Sequence, residues 1–169
     1  MYPELTILAK KAAHLLKKHS QTISIAESST AGLISAHLLA LPGASSYFIG
    51  GSIIYTRIAQ KVFLNVNDKQ MENLRASTEK YALLNSNQVR QLTGSTWGIS
   101  ETGATGPTGN RYGDNPGHSC IAITGPIQKT KIIETNEDSR TKNMREFSNA
   151  ALKLFIESIE SFSEQSLDG

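Results

Sequence analysis

Apolar positions along this chain recur with two periods, and the switches between them outline the fold. Pro3 suits the first turn of a helix. Leu5, Leu8, Ala12, Leu15 and Leu16 then recur at helical spacing with the lysines mostly off that stripe, which predicts a helix that stops near His19 and Ser20. Thr22-Ile23-Ser24-Ile25-Ala26 follows as a short strand. It ends in Glu27-Ser28-Ser29-Thr30 and runs into Ala31-Gly32-Leu33-Ile34, a strand–turn–helix junction. The second helix reaches about Leu41 and is ended by Pro42-Gly43. Residues 48–56, with Ile53-Ile54-Tyr55, predict a buried strand, and residues 59–64 and 68–74 predict two short helices. A longer helix is predicted over 79–93, with Thr78 or Ser77 as its cap.

Residues 97–102 read as a strand that empties into the polar loop 103–117. Strands 119–124 and 129–134 follow, with a turn at Gly125-Pro126. The last helix starts near Ser139, with Met144, Phe147, Ala151, Leu154, Phe155, Ile159 and Phe162 as its stripe, and a frayed tail is expected over 166–169. Alternating strands and helices point to a layered α/β fold. The loop 103–117 is the one long connection, and such loops in compact domains are usually functional.

Composition narrows this picture. A chain of 169 residues, 38% hydrophobic and 19% charged, fits one soluble globular domain, here spanning 1–165. The net charge of +2 and the scattered lysines, four of them (Lys10, Lys11, Lys17, Lys18) on the first helix, argue against a nucleic-acid partner. The N-terminus lacks a basic segment followed by an apolar core, and the most apolar stretch, around Leu33 to Leu41, is too short to span a bilayer. A cytoplasmic protein with no membrane partner is expected. The lone Cys120 excludes an internal disulfide framework and a multi-cysteine zinc site, and its apolar surroundings predict a small buried side chain.

Chemistry concentrates in a few segments. Hydroxyls at a strand-to-helix turn, here Ser28, Ser29 and Thr30, either cap the helix or supply a nucleophile, and spacing alone leaves both open. Candidate bases are His118, the only histidine near the expected site, and Tyr55 or Lys61. Gly103, Gly106, Gly109, Gly113 and Gly117, with Thr102, Thr105 and Thr108, suit close wrapping of a polar ligand such as a sugar phosphate. The loop is neither a Walker A sequence nor a dinucleotide fingerprint. Arg140 and Arg145 near the start of the last helix suit either an anionic ligand or ion pairs with Glu137, Asp138 or Glu146.

In this order the pieces resemble the CinA C-terminal family over residues from about 5 to about 160. Its Ala-Glu-Ser-Cys-Thr-Gly-Gly hallmark reads Ala26-Glu27-Ser28-Ser29-Thr30-Ala31-Gly32. A Pro-Gly-Ser-Ser-like turn appears as Pro42-Gly43-Ala44-Ser45-Ser46, and a Gly-Gly-x-x-x-Tyr strand as Gly50-Gly51-Ser52-Ile53-Ile54-Tyr55. The Gly-x-Ala-Gly-Pro-x-Gly loop appears as Gly103-Ala104-Thr105-Gly106-Pro107-Thr108-Gly109, and the paired arginines as Arg140 and Arg145. Members of this family include nicotinamide mononucleotide deamidases of NAD salvage, which release ammonia and leave nicotinic acid mononucleotide.

The resemblance implies a three-layer α/β sandwich, a central sheet with helices on both faces, and a homo-oligomer. It implies Ser28 as nucleophile with Tyr55 and Lys61 activating it. It further implies Glu27, Ser29, Thr30, Gly51, Gly103, Thr105, Gly106, Arg140 and Arg145 around a small nucleotide substrate, without metal or cofactor.

Three departures from the family pattern bear most on the chemistry. The family's lysine, five residues after the tyrosine, is Gln60 here; Lys61 lies one residue on, a rotation of about 100° on a helix. Either the helix is shifted locally, or another group activates Ser28, or turnover is lost. Ala31 replaces the first hallmark glycine and adds a methyl near the expected substrate, and His118 replaces a glycine where it either crowds the pocket or supplies a base. Three readings follow: a nucleotide amidase, a related hydrolase with an altered substrate, and a catalytically silent member that binds a nucleotide or a protein partner.

Overall fold

The computed structural model describes residues 1–165, and the tail expected over 166–169 lies outside the described residues. Five strands form one mixed sheet: β1 (Ile23–Glu27), β2 (Phe48–Ile53), β3 (Trp97–Ala104), β4 (His118–Thr124) and β5 (Lys129–Glu134). Their order is β2-β1-β3-β4-β5. β1 runs parallel to both β2 and β3, and β3, β4 and β5 form an antiparallel ribbon. The helices are α1 (Pro3–Lys18), α2 (Leu33–Leu39), α3 (Arg57–Leu64), α4 (Glu79–Thr93) and α5 (Arg140–Gln165).

Side chains alternate across a strand, so each central strand serves two cores. Ile23, Ile25, Trp97, Ile99, Ile121 and Ile123 point to one face, where they are buried with Leu5 and Leu16 of α1, Ile34 and Leu38 of α2 and Phe155 of α5. Ala26 points to the other face with Leu64 of α3 and Val89 of α4, while Cys120 and Ala122 meet Ala82 of α4. The result is the expected three-layer sandwich with helices on both faces. Burying each large aliphatic or aromatic side chain in these layers contributes roughly 1.5–3 kcal/mol. Trp97 anchors the larger core, edge-on to Phe155 at 5.7 Å, with its indole N–H donated to Gln21 at 2.7 Å. Only glycine fits at position 98, because a Cβ there would lie 2.2 Å from the Ser86 carbonyl oxygen of α4.

Three expected elements differ. β2 is an edge strand, not a buried one: it stops at Ile53, and its residues alternate, with Ile49 and Ile53 about half exposed. Residues 68–74 form turns rather than a helix, bonded Met71 N to Asp68 O and Leu74 N to Met71 O. Asn67 and Gln70 exchange side-chain-to-backbone hydrogen bonds at 2.9 Å each, the reciprocal pattern of a helix start, but the turn is not continued because Asn73 takes φ +61° in the left-handed region. Finally, β3 runs past Thr102 to take Gly103 and Ala104 into pairing with Ser119 and His118, which shortens the loop to 105–117. Among the described residues, no helix is long and apolar enough to cross a membrane.

Candidate active site

A cavity of about 670 Å³ opens where β1 and β3 end, walled by Ser28, Tyr55, Thr102 and Gly103 with residues from α3, α4 and the loops beside them. Among the described residues, three arginines, Arg57, Arg75 and Arg111, lie in that wall, and no aspartate or glutamate does. A wall with guanidinium groups and no carboxylate favours an anionic occupant. Ser28 is half-buried there, and its Oγ makes no hydrogen bond among the described residues.

Two buried carboxyl groups shape the turn that carries Ser28. Glu27, the last residue of β1, accepts the amides of Gly32 (2.9 Å), Ile34 (3.1 Å) and Ser35 (2.8 Å) and the hydroxyls of Ser35 and Thr30. It thereby satisfies the orphan donors at the start of α2. Glu101 of β3 sits fully buried on the other side of the turn. Its Oε2 accepts the amides of Ser28 (3.3 Å) and Thr30 (3.0 Å) and the Thr30 hydroxyl (3.1 Å). Its Oε1 accepts the hydroxyls of Ser29 and Ser119. Burial pushes the Glu101 carboxyl above the usual range, against the hydrogen bonds from Ser29, Thr30 and Ser119 that pull it down. So Glu27, Ser29 and Thr30 have their polar side chains committed within the scaffold, and Ser28 alone of the segment keeps a free hydroxyl facing the cavity.

Helix α3 is not shifted. Thr56 caps it, accepting the Ala59 amide at 3.1 Å, and Gln60 is fully buried while Lys61 is exposed. Gln60 accepts from Arg57 Nη1 at 2.6 Å and donates to Asn85 at 2.6 Å. Lys61 pairs instead with Asp68 at 2.7 Å on the outer surface and does not line the cavity. The structure therefore brings Tyr55 and Ser28 to one cavity and leaves Lys61 outside it. The cation nearest in sequence that does line the wall is Arg57, held by Gln60, two backbone carbonyls and Asp68.

Of the other expected residues Gly103 lines the cavity with Ser28, and the rest lie outside it. Arg140 donates to Thr105 Oγ1 at 2.9 Å, and Arg145 pairs with Glu4 and Glu146 beside α1. Gly106 has φ +98°, and a Cβ there would lie 2.3 Å from the Asp138 carbonyl oxygen, so it serves loop packing. Gly51 makes room for Ser35. Ala31 takes φ +53°, where a side chain is strained, and does not line the cavity. His118 lies behind the wall, its Nδ1 bonded to Glu134 and its Nε2 3.1 Å from the Ser77 carbonyl. It neither crowds the cavity nor reaches Ser28 as a base. Cys120 is buried as expected, and its thiol is pushed up to about 12, chiefly by burial.

Two acceptors on the two ring nitrogens of His118 are satisfied together only by the imidazolium form. Burial alone would lower the pKa of this ring, but Glu134, the Ser77 carbonyl and Asp114 together raise it. A raised pKa in the folded state contributes stability that is complete below the unfolded value near 6.5 and is lost as pH rises through the folded one. Urea denaturation should therefore show the protein losing stability as pH rises above about 6.5, with a flatter profile for Glu134→Gln.

Sequence reasoning missed Glu101, Arg57, Arg75 and Arg111. For Glu101 a signal existed: it is the single charge inside the strand-forming run Trp97-Gly98-Ile99-Ser100-Glu101-Thr102. The arginines carried no local signal, because only the tertiary fold gathers them. Among the described residues no three His, Cys, Asp or Glu side chains converge as a metal site.

Comparison with known proteins places these observations. Residues 5–159 match the CinA C-terminal domain family. A CinA-like protein of Desulforapulum autotrophicum is 35% identical over 146 residues, covering 86% of this chain and 34% of that protein. One from a Nostoc species is 35% identical over 129 residues, covering 76% and 30%. The chain thus spans about a third of the length of these curated relatives. In fold, it is similar to the competence/damage-inducible protein CihA from Agrobacterium tumefaciens, with a TM-score of 0.87 at 21% identity, covering 95% of this chain and 98% of that one. A CinA superfamily protein from Klebsiella pneumoniae aligns with a TM-score of 0.86 at 20% identity, covering 93% and 98%.

Proposed function

This chain belongs to the CinA C-terminal domain family, and from that premise we propose that it is a serine amidohydrolase converting nicotinamide mononucleotide and water to nicotinic acid mononucleotide and ammonia. One observation carries the reading: among the described residues, Ser28 offers an unpartnered hydroxyl to a cavity whose wall holds three arginines and no acid. Ser28 Oγ attacks the carboxamide carbon while its proton passes to the Tyr55 oxygen and the Tyr55 hydroxyl proton passes to the amide nitrogen, which leaves as ammonia when the C–N bond breaks. Water then attacks the acyl-serine and returns the hydroxyl. Arg57 keeps its proton and acts as fixed positive charge in the same wall as Tyr55.

The oxyanion needs backbone donors. The amides of Ser28 and Thr30 are turned to Glu101 and are not free for it. The Ser29 N–H has no acceptor among the described residues, and the amide following a nucleophile is a known position for such a donor.

A second reading, a member that binds a nucleotide without turning it over, is favoured by the cavity wall having no lysine and by Gln60 being tied to Arg57 and Asn85. Ammonia release from nicotinamide mononucleotide separates the two. Turnover is expected, and Lys61→Ala is expected to stay within about threefold of the parent, since an exposed ion pair outside the cavity is lost. Saturable binding without ammonia would favour the second reading. A loss of 100-fold or more in Lys61→Ala would mean that Lys61 reaches Ser28 after all.

A further inference from the structure

The loop after β3 builds a feature that the catalytic residues do not use. Asn110 ties it into a compact turn, its Oδ1 accepting the amides of Tyr112 (3.0 Å) and Asp114 (3.1 Å). The Asn110 amide group donates to Ser77 Oγ at 3.1 Å and Asp114 Oδ2 at 2.8 Å. Arg75 clamps the same Asp114 with two hydrogen bonds, at 2.6 and 3.0 Å. On this turn the Tyr112 ring lies under two guanidinium groups, Arg75 at 5.4 Å and Arg111 at 5.1 Å from its centroid. Arg111 also donates to the Tyr112 hydroxyl at 3.0 Å. All of Arg75, Ser77, Asn110, Arg111 and Tyr112 line the cavity that holds Ser28.

The charges are unequal in their partners. Arg75 is balanced by Asp114, whose carboxyl it holds below the usual range. Arg57 is shared among Asp68, Gln60 and two backbone carbonyls. Arg111 has no carboxylate partner among the described residues, only Tyr112. A guanidinium held on a tied loop, supported on an aromatic ring and left without an anion, is prepared to receive one, because its planar fork matches a phosphate and little freedom remains to be lost on binding.

We propose that Arg111, supported by Tyr112 and Arg75, is the anion subsite of this cavity and takes the phosphate of a mononucleotide, in place of the Arg140 and Arg145 pair that the sequence suggested. The assignment rests on the nucleotide reading of the site for its ligand, but not on turnover. Ser28 and Arg111 then stand at two places on one wall, the first for the group that reacts and the second for the phosphate.

The test is binding, measured by calorimetry on the full chain with nicotinic acid mononucleotide and with its phosphate-free riboside. The parent protein is expected to prefer the mononucleotide. Arg111→Gln is expected to bind it about 10- to 100-fold more weakly, the ratio for losing one charge-assisted hydrogen bond, with little change for the riboside. Arg111→Lys, which keeps the charge but not the fork, should fall between. Arg111 lies on an exposed loop, so these variants are expected to fold.

Undiminished preference in Arg111→Gln overturns the subsite, as does a preference that disappears in Arg140→Gln instead, or no binding of either ligand by the parent. Binding that behaves as expected without ammonia release would sink the amidase reading and leave the subsite standing. Ammonia release with an unaltered preference in Arg111→Gln would do the reverse.

Discussion

Replacing Ser28 with alanine is expected to lower ammonia release from nicotinamide mononucleotide by roughly 10⁴-fold or more, the scale of loss when a catalytic unit is deprived of its nucleophile. The fold should not register the change. The Ser28 hydroxyl has no hydrogen-bond partner among the described residues, so its removal orphans no donor or acceptor. The amide of Ser28, which Glu101 accepts, is kept by alanine. Stability measured by urea denaturation should therefore stay within about 0.5 kcal/mol of the parent. The combination is what distinguishes a nucleophile from a structural serine: Ser29, one residue on, has its hydroxyl bound to the buried Glu101, and its loss would be felt by the fold. Turnover that persists in Ser28→Ala would mean that water attacks the amide directly and that the cavity acts by charge and position alone.

The layers of this fold were legible because they rest on period. Ile23 and Ile25, Trp97 and Ile99, and Ile121 and Ile123 alternate with small or polar residues, and that alternation assigns each strand its two faces. Edge position carries no such mark. Phe48-Ile49-Gly50-Gly51-Ser52-Ile53 is as apolar as a central strand, yet among the described residues no strand pairs with its outer side. The Ser28 turn was legible from its hydroxyls and its place between a strand and a helix. The one-residue displacement at Gln60 was legible too, but not its consequence: the sequence left open whether the helix absorbs it and kept Lys61 as an activating group, whereas the structure turns Gln60 inward and Lys61 outward. Arg57, Arg75 and Arg111 were not legible, since residues far apart in sequence share a cavity only after α3, α4 and the loop after β3 have packed around it. Arg140 and Arg145 show the converse. Their position at a helix start suggested an anion, and the structure places one on Thr105 and the other on Glu4 and Glu146.

Glu101 separates two substitutions of nearly the same position sharply. In Glu101→Ala the amides of Ser28 and Thr30 and the hydroxyls of Ser29 and Ser119 lose their acceptor inside a fully buried site, and a cavity replaces the side chain. Losses of this kind cost about 3–5 kcal/mol, a large share of the stability of a small domain. Glu101→Gln behaves differently because the two carboxyl oxygens face different kinds of donor. Oε2 accepts two backbone N–H groups, which cannot reverse, whereas Oε1 meets two serine hydroxyls, which can turn to accept. Glutamine placed with its oxygen at Oε2 and its NH₂ at Oε1 keeps every contact satisfied, so its cost should be about 1 kcal/mol. A protonated Glu101 would fit by the same logic, with its proton on Oε1.

That equivalence has a pH signature. Burial raises the Glu101 carboxyl above its ordinary value of 4.5, against the hydrogen bonds that oppose it. A carboxyl raised in the folded state contributes stability that is complete below the unfolded pKa and lost as pH climbs through the folded one. Glutamine does not titrate. Urea denaturation of the parent and Glu101→Gln at pH 5 and pH 8 should therefore show the difference moving in favour of glutamine at the higher pH, with Glu101→Ala the least stable of the three throughout. A difference that moves toward the parent instead would mean that the hydrogen bonds to Glu101 outweigh its burial and that the ionised form is the one the turn is built to hold.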